Sequence, residues 1–174
     1  MKKEQRREVL AKRQQLSNQQ RHEKSNRIVE QLLPYLKEKK CVGIYMPLLE
    51  EVDVSSLLFI YDSLGVPKVR NKEDMDFFLI QSALEVKEGV FHVLEPTTNI
   101  WIDPKDFEVI IVPMVGFDRN KHRIGYGKGY YDRYLKQTKA LKIGVAFECQ
   151  SIDKIDIDEN DIKMDMIITE SNIY

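Results

Sequence analysis

Apolar and polar residues near the amino terminus follow a helical period. Residues 2–16 contain no glycine or proline and are mostly polar, which predicts an exposed helix. Ser17 followed by Gln20 is typical of a capping box that begins a second helix. Apolar residues then recur at helical spacing, with a kink or break expected at Pro34, so the second helix should pack on the core. These residues are Ile28, Val29, Leu32, Leu33 and Leu36.

Short apolar runs further along the chain predict buried strands. The densest covers residues 107–112 and is closed by Pro113. Other predicted strands cover residues 41–46, 66–69, 76–80, 142–147 and 164–169, with a shorter strand or a loop over 90–94. The pattern also predicts a helix capped by Asp53 and stopped by Gly65, and another over 130–137. Alternating helices and buried strands indicate an α/β fold, a three-layer α/β/α sandwich around a mainly parallel sheet.

Composition places the chain among globular proteins. It has 174 residues, of which 43% are hydrophobic and 32% charged, and this length favours one domain over residues 1–174. No apolar run approaches the roughly 20 residues of a membrane-spanning helix. The mixed-charge amino terminus lacks the apolar segment of a secretory signal. We therefore expect a cytoplasmic protein without a membrane partner, and a monomer.

The cysteines and histidines give no sign of a metal or disulfide framework. Cys41 and Cys149 have neither the spacing of a zinc knuckle nor the density of a disulfide scaffold. The three histidines are scattered along the chain. We expect two buried thiols and no structural zinc site.

Basic residues cluster at the amino terminus, although the net charge of the chain is -1. Within the first thirteen residues, Glu4 and Glu8 are outnumbered by Lys2, Lys3, Arg6, Arg7, Lys12 and Arg13. One interpretation is the solvated face of a helix, and the other is an arm that reaches an anion such as phosphate. The residues alone leave both open, and the overall charge gives no field that would attract nucleic acid.

A glycine-rich segment, Arg123-Ile-Gly-Tyr-Gly-Lys-Gly-Tyr-Tyr131, follows the strongest predicted strand. Open parallel sheets bind ligands at the carboxyl ends of their strands. Alternating glycines let the backbone turn tightly and present N–H groups to an anion, and the helix predicted after them adds its positive end. Lys128 and Arg123 suit phosphate oxygens. The spacing matches neither a P-loop nor a Rossmann fingerprint, so an ordinary tight loop is the alternative to a phosphate-binding loop.

Two aspartates could hold a metal ion next to that segment. Asp132 stands just inside the predicted helix, where a carboxylate could hold Mg²⁺ that bridges phosphate oxygens. Asp161, in the acidic run near the carboxyl terminus, could be a second ligand. The plainer interpretations are an acid favoured by the helix dipole and a solvated acidic loop.

Residues 112–135 as a whole resemble the signature of the 5-formyltetrahydrofolate cyclo-ligases, also called methenyltetrahydrofolate synthetases. The run reads Val-Pro-Met-Val-Gly-Phe-Asp-Arg-Asn-Lys-His-Arg-Ile-Gly-Tyr-Gly-Lys-Gly-Tyr-Tyr-Asp-Arg-Tyr-Leu. Other matching segments follow the family order, so the resemblance covers nearly the whole chain. They are the basic amino-terminal helix, Met46-Pro-Leu-Leu-Glu-Glu-Val-Asp53, Val66-Pro-Lys-Val-Arg70, Glu95-Pro96 and Glu159-Asn-Asp161.

The resemblance implies ATP-dependent ring closure of 5-formyltetrahydrofolate to 5,10-methenyltetrahydrofolate, with release of ADP and phosphate. In the mechanism that it implies, the formyl oxygen attacks the γ-phosphorus of ATP, N10 attacks the activated carbon, and phosphate leaves. Such an enzyme mainly aligns groups and neutralises charge. The expected partners are therefore 5-formyltetrahydrofolate and ATP, with Mg²⁺ as cofactor and no nucleic acid.

The resemblance also assigns site residues by position. For ATP it implies Lys2, Lys3, Arg6, Arg123, Ile124, Gly125, Tyr126, Gly127, Lys128, Gly129, Tyr130 and Tyr131. For the folate it implies Met46, Glu51, Tyr126, Gly127, Lys128, Gly129 and Tyr130. Arg123 and Lys128 are the expected catalytic residues, and Asp132 and Asp161 the expected magnesium ligands. Glu51 would accept hydrogen bonds from the pterin, whereas Tyr130 and Tyr131 could equally be core aromatics.

One position departs from the family pattern. Where the pattern has glycine before the glycine-rich segment, this chain has Lys121. A left-handed conformation at that turn would cost roughly 1 kcal/mol or more for lysine. We expect a changed turn rather than lost activity.

Two other functions compete with the cyclo-ligase. A catalytically silent nucleotide- or phosphosugar-binding module on a similar scaffold would bind ligand without turnover, because a fold does not fix a function. An RNA-binding protein led by the basic helix is disfavoured, since the net charge is near zero and no RNA-recognition motif is evident.

Overall fold

A computed structural model describes residues 2–174 of the chain. Its helices are α1 (Lys2–Gln14), α2 (Asn18–Leu36) and α3 (Tyr130–Leu135). Its strands are β1 (Val42–Gly43), β2 (Leu64–Val69), β3 (Met75–Ile80), β4 (Val86–Glu88), β5 (Leu94–Pro96), β6 (Val109–Pro113), β7 (Gly116–Phe117), β8 (Arg123–Ile124), β9 (Leu141–Val145) and β10 (Met166–Ile168).

Within residues 2–174, six strands form the main sheet in the order β10-β9-β6-β1-β2-β3. Neighbouring strands are parallel except for the edge pair β2 and β3, which is an antiparallel hairpin. The pairs β4 with β5 and β7 with β8 form separate antiparallel ribbons. The predicted α/β fold with a mainly parallel sheet is confirmed.

Alternation along β6 divides the core between the two faces of the sheet. Val109 and Ile111 pack in one buried cluster with Leu32 of α2. Ile110 and its neighbour Val112 pack in the other cluster, which includes residues of α3. Successive side chains of a strand point to opposite faces, so one strand supplies both cores. This arrangement is the predicted three-layer sandwich.

The two amino-terminal helices form as the sequence predicts. The Ser17 hydroxyl accepts a hydrogen bond from the Gln20 amide, and the Gln20 side chain accepts one from the Ser17 amide, so the capping box is present. Pro34 lies inside the last turn of α2, which continues to Leu36. The helix therefore does not break at Pro34, and it continues for two more residues.

The helix predicted between Asp53 and Leu64 is wrong. A short 3-10 turn, Ser55–Phe59, takes its place, and Leu64 and Gly65 belong to β2. The prediction failed because its apolar residues do not share one buried face. Leu57 is buried, whereas Ile60, which would lie on the same face of a helix, is 53% exposed. Pairing of β2 with β1 and β3 satisfies backbone groups that a helix would have used internally.

Other strand predictions hold with shifted ends, whereas the thiol prediction does not. Residues 90–94 form a 3-10 turn, Val90–His92, followed by β5. Cys41 and Cys149 are free and only half-buried. Partial burial and the neighbouring acids raise the pKa of Cys41 to about 11, so its thiol stays protonated near neutral pH.

Candidate functional site

A cavity of about 830 Å³ opens at the carboxyl ends of β1, β2 and β6. This is the edge where parallel α/β sheets bind ligands, and the volume suits a small molecule. The predicted site residues that line the cavity are Lys2, Arg6, Met46, Glu51, Arg123, Ile124, Gly125, Tyr126, Gly127, Lys128, Gly129, Tyr130, Tyr131, Asp132 and Asp161. Of the predicted set, Lys3 alone among the described residues lies outside this lining, and its side chain is exposed.

The glycine-rich segment begins in β8 and ends where α3 begins. Gly127 and Gly129 adopt left-handed backbone conformations, with φ of 90° and 72°. A β-carbon at Gly127 would lie 3.2 Å from Nη2 of Arg6. One at Gly129 would lie 2.6 Å from Nη1 of Arg133. Glycine is therefore favoured at both positions by conformation and by space.

The short length of α3 changes the expected source of positive charge. This helix has six residues, so its dipole is smaller than that of the longer helix predicted over residues 130–137. Arg123 and Lys128 of the segment line the cavity, and Arg6 of α1 lines it beside them. An anion would therefore be held by backbone N–H groups and these basic side chains.

A buried carboxylate organises the turn that leads into the glycine-rich segment. Asp118 is 1% exposed, and its Oδ1 accepts hydrogen bonds from the amides of Asn120 and His122 at 2.9 and 3.0 Å. Its Oδ2 faces the His122 ring at 3.0 Å and the Ile155 amide at 3.2 Å. Burial opposes ionisation, but the hydrogen bonds from His122 and Ile155 lower the pKa of Asp118 overall. Lys121, in the same turn, has a left-handed φ of 69°, the conformation that carries the cost described above.

Helix α1 crosses the cavity beside the glycine-rich segment. Nε of Arg6 donates to the carbonyl oxygen of Gly125 at 2.7 Å. The ammonium of Lys2 pairs with Asp158 at 2.8 Å and also with Asp161. The basic surplus of the amino terminus is therefore divided, because Lys2 and Arg6 face the site while Lys3 and Arg7 face solvent.

Arg123 is 7% exposed and spans the floor of the cavity. Its Nη2 lies 3.2 Å from Oδ1 of Asp132, and its guanidinium lies 5.6 Å from the centre of the Tyr131 ring. Within the described chain its Nε has no hydrogen-bond partner. A buried cation with a spare donor is suited to an anionic ligand.

The lining of the cavity also contains Glu51, which is 7% exposed. Its Oε2 accepts from the Leu48 amide at 2.9 Å. Burial raises the pKa of Glu51, whereas the Leu48 amide, the charge of Arg13 and the Tyr126 hydroxyl all lower it. Burial next to Glu51 also raises the pKa of Tyr126 to about 12, so this phenol stays protonated.

Several lining residues were not predicted from the sequence. Glu95 is a buried carboxylate that accepts a 3.3 Å hydrogen bond from the Val69 amide. Phe91 adopts a left-handed φ of 61°, and Nζ of Lys128 lies 5.8 Å from the centre of its ring. Glu95 lies in a segment that resembles the family, which was the available signal. No sequence signal marks Phe91, since the ribbon formed by β4 and β5 brings it to the cavity.

The two predicted metal ligands lie near each other. Oδ1 of Asp132 accepts from the amide of Ile162, the residue after Asp161. Asp161 also accepts from the Asp158 amide at 2.9 Å. Among residues 2–174, no group of three or more His, Cys, Asp and Glu side chains could hold a metal ion. Any Mg²⁺ here would take one or two protein carboxylates and complete its shell with ligand oxygens.

The mainly parallel sheet and the glycine-rich loop beside a cavity at the strand ends are features of α/β proteins that bind small ligands. A family model described as the 5-formyltetrahydrofolate cyclo-ligase family matches residues 1–170. The chain therefore belongs to this family, as its sequence signature predicted, and the family is one of ligase enzymes. Among the described residues, no helix is both long and apolar enough to cross a membrane.

Individual relatives agree with the family match. The 5-formyltetrahydrofolate cyclo-ligase of Mycoplasma genitalium is 32% identical over 165 residues, which cover 92% of both chains. The enzyme of the same name from Mycoplasma pneumoniae is 29% identical over 170 residues, covering 95% of this chain and 96% of that one. The solved structure of Aquifex aeolicus 5,10-methenyltetrahydrofolate synthetase superposes with a TM-score of 0.89 at 37% identity, covering 99% of this chain and 91% of that chain.

Proposed function

We propose that this protein catalyses the ATP-dependent cyclisation of 5-formyltetrahydrofolate to 5,10-methenyltetrahydrofolate, releasing ADP and phosphate. The observation that carries the proposal is one cavity whose lining combines two kinds of group. The glycine-rich segment, which includes Arg123 and Lys128, suits a triphosphate. The buried Glu51 in the same lining suits the N–H donors of a pterin.

The proposed reaction proceeds in two displacement steps. The formyl oxygen attacks the γ-phosphorus, the bond to the bridging oxygen breaks, and ADP leaves. N10 then attacks the formyl carbon, the carbon–oxygen bond breaks, phosphate leaves with the former formyl oxygen, and N10 loses its proton. An amide oxygen is a poor leaving group until it is phosphorylated, so the protein needs chiefly to align the reactants.

The cavity residues would supply alignment and charge. Arg123 and Lys128 would neutralise the oxygens of the transferred phosphoryl group, because both are cations in the lining of the cavity. Arg6 would hold that segment through the Gly125 carbonyl while its other donors face ATP. Met46 and Tyr130 would contact the folate, and Glu51 would fix its pterin ring.

Asp132 and Asp161 would hold Mg²⁺. Arg123 now pairs with Asp132 and Lys2 with Asp161, so the ion would take the place of these positive charges. The bound ion would neutralise charge on the phosphate oxygens of ATP. A monomeric state, a cytoplasmic location and the absence of a nucleic-acid partner remain predictions from the sequence.

The test is an absorbance assay on the purified wild-type protein with 5-formyltetrahydrofolate and Mg-ATP. We expect the methenyl chromophore to appear with one ADP formed for each turnover. If the absorbance stays flat while ATP still binds in calorimetry, the protein is a silent binding module and the proposal is wrong.

A further inference from the structure

A buried arginine outside the predicted site lies behind the glycine-rich segment. Arg13, near the end of α1, is 2% exposed. Its Nη2 donates to the Tyr126 hydroxyl at 2.9 Å, and its guanidinium lies 5.9 Å from the centre of the Tyr126 ring. The carboxylate of Glu50 is 3.9 Å away, beyond hydrogen-bond distance.

The pairing of Arg13 is incomplete for so deep a position. Within the described chain, its Nε and Nη1 have no hydrogen-bond partner. A buried cation with unused donors destabilises a fold, and an apolar side chain of similar size would generally be tolerated better. The position therefore requires an explanation other than stability.

The Tyr126 hydroxyl connects Arg13 with Glu51. Because the Tyr126 hydroxyl accepts from Arg13, its own proton is free to be donated to another group. Glu51 is that neighbour, and burial raises its pKa overall, although the Leu48 amide, the charge of Arg13 and the Tyr126 hydroxyl reduce the rise. Two further phenols face Glu51, namely Tyr45 after β1 and Tyr131 in α3, and neither carries a positive charge. The Leu48 amide is the remaining donor to Glu51.

We propose that Arg13 is a positioning residue that fixes the Tyr126 hydroxyl beside Glu51 in the lining of the cavity, so that both groups are placed for substrate recognition. The inference rests on the proposed function, because that function assigns Glu51 to the pterin ring. Arg13 itself lies behind this lining and acts through Tyr126 and Glu51. Substrate affinity, rather than the phosphoryl step, should therefore depend on it.

The test is the pH dependence of the KM for 5-formyltetrahydrofolate in wild-type protein and Arg13→Gln. Without the arginine, Glu51 should protonate at higher pH. We expect the ratio of the Arg13→Gln KM to the wild-type KM to stay within about threefold at a pH of about 9 and to grow to about tenfold as the pH falls to about 5, toward the range where glutamate titrates. The KM for ATP should change by less than about threefold at either pH.

Matched variants separate this role from a structural one. Arg7→Gln makes the same substitution on the exposed side of α1 and should reproduce the wild-type profile. Arg13→Lys retains the charge and should restore most of the acid side of the profile. Tyr126→Phe removes the connecting hydroxyl and should shift the profile in the same direction as Arg13→Gln.

Two outcomes would overturn the inference while the proposed function stands. In the first, Arg13→Gln turns over at the wild-type rate, but its KM for 5-formyltetrahydrofolate is raised by the same factor at every pH. That result indicates lost packing alone. If Arg13→Gln does not fold, Arg13→Lys and Tyr126→Phe decide instead. The second outcome is then a Tyr126→Phe variant whose KM for 5-formyltetrahydrofolate matches wild type at every pH. A wild-type protein that forms no methenyl product refutes the proposed function instead.

Discussion

Nε of Arg6 donates a hydrogen bond to the carbonyl oxygen of Gly125, and the two atoms are 2.7 Å apart. The same guanidinium lies where a β-carbon at Gly127 would come within 3.2 Å of it. The amino-terminal helix and the glycine-rich segment, which are more than a hundred residues apart in sequence, thus shape each other. The absence of a side chain at Gly127 leaves room for the Arg6 guanidinium.

Arg6→Gln should weaken the proposed ATP site more than the folate site. The glutamine loses the charge and the fixed hydrogen bond to Gly125, and hydrogen bonds to charged groups contribute about 1.5 to 3 kcal/mol. We expect kcat/KM for ATP to fall about 10- to 100-fold, with KM for 5-formyltetrahydrofolate changed by less than about threefold. Steady-state kinetics measure both, and Arg7→Gln is the exposed control. Equal losses for the two substrates would show that Arg6 supports the whole fold instead.

Asp132→Asn should impair use of magnesium without collapsing the loop. Asparagine retains an oxygen that can accept from the Ile162 amide, as Asp132 does now at 3.2 Å, but it loses the charge that attracts a cation. We expect the Mg²⁺ concentration for half-maximal rate to rise about tenfold or more. Asp153→Asn, on the exposed acidic loop, is the control. A magnesium dependence identical to wild type would remove Asp132 from the metal site.

The local features of the site could be predicted from the sequence, because they depend on residue types at short spacing. Gly127 and Gly129 take left-handed conformations that side chains resist, so the alternating glycines indicated a tight loop. The capping box at Ser17 and the strand ending at Pro113 follow from equally local chemistry. The dense signature around them then indicated the family.

Features that depend on distant pairing could not be predicted in the same way. Residues 53–64 have helical spacing, yet they form only the 3-10 turn Ser55–Phe59, and Leu64 pairs with β3 as the first residue of β2. Arg13 belongs to a basic run that had two possible interpretations, and its hydrogen bond to Tyr126 joins residues more than a hundred positions apart. Glu95 reaches the cavity because β4 and β5 pair as a ribbon, which apolar periodicity does not encode.

Asp118→Asn should destabilise the protein at neutral pH. Four donor contacts converge on this carboxylate, and the amide retains only one oxygen, so we expect the free energy of unfolding to fall by about 2 kcal/mol at a pH of about 7. The pKa of Asp118 is lowered despite burial, so its contribution is present above the pKa of an unfolded aspartate and is lost as pH falls through the folded value.

Denaturant unfolding at several pH values measures the Asp118 effect. The difference between wild type and Asp118→Asn should shrink below a pH of about 4, where an unfolded aspartate titrates. Asp153→Asn, in an exposed loop, should show no comparable difference. If the difference in the free energy of unfolding stays constant down to acid pH, the packing of Asp118 rather than its ionisation stabilises the fold.

Lys121→Gly should stabilise the protein while leaving turnover unchanged. Lys121 has a φ of 69°, which costs a residue with a β-carbon about 1 kcal/mol, and glycine removes that cost. Greater backbone freedom of glycine in the unfolded chain offsets part of the gain, so we expect the free energy of unfolding to rise by at most about 1 kcal/mol. Both Lys121→Gly and Lys121→Ala lose the hydrogen bond from Nζ to the Asp165 carbonyl, but alanine also keeps the strained β-carbon, so denaturant unfolding should show no gain for alanine. Equal stabilisation by alanine and glycine would show that the lysine charge, rather than the backbone, is the source of the cost.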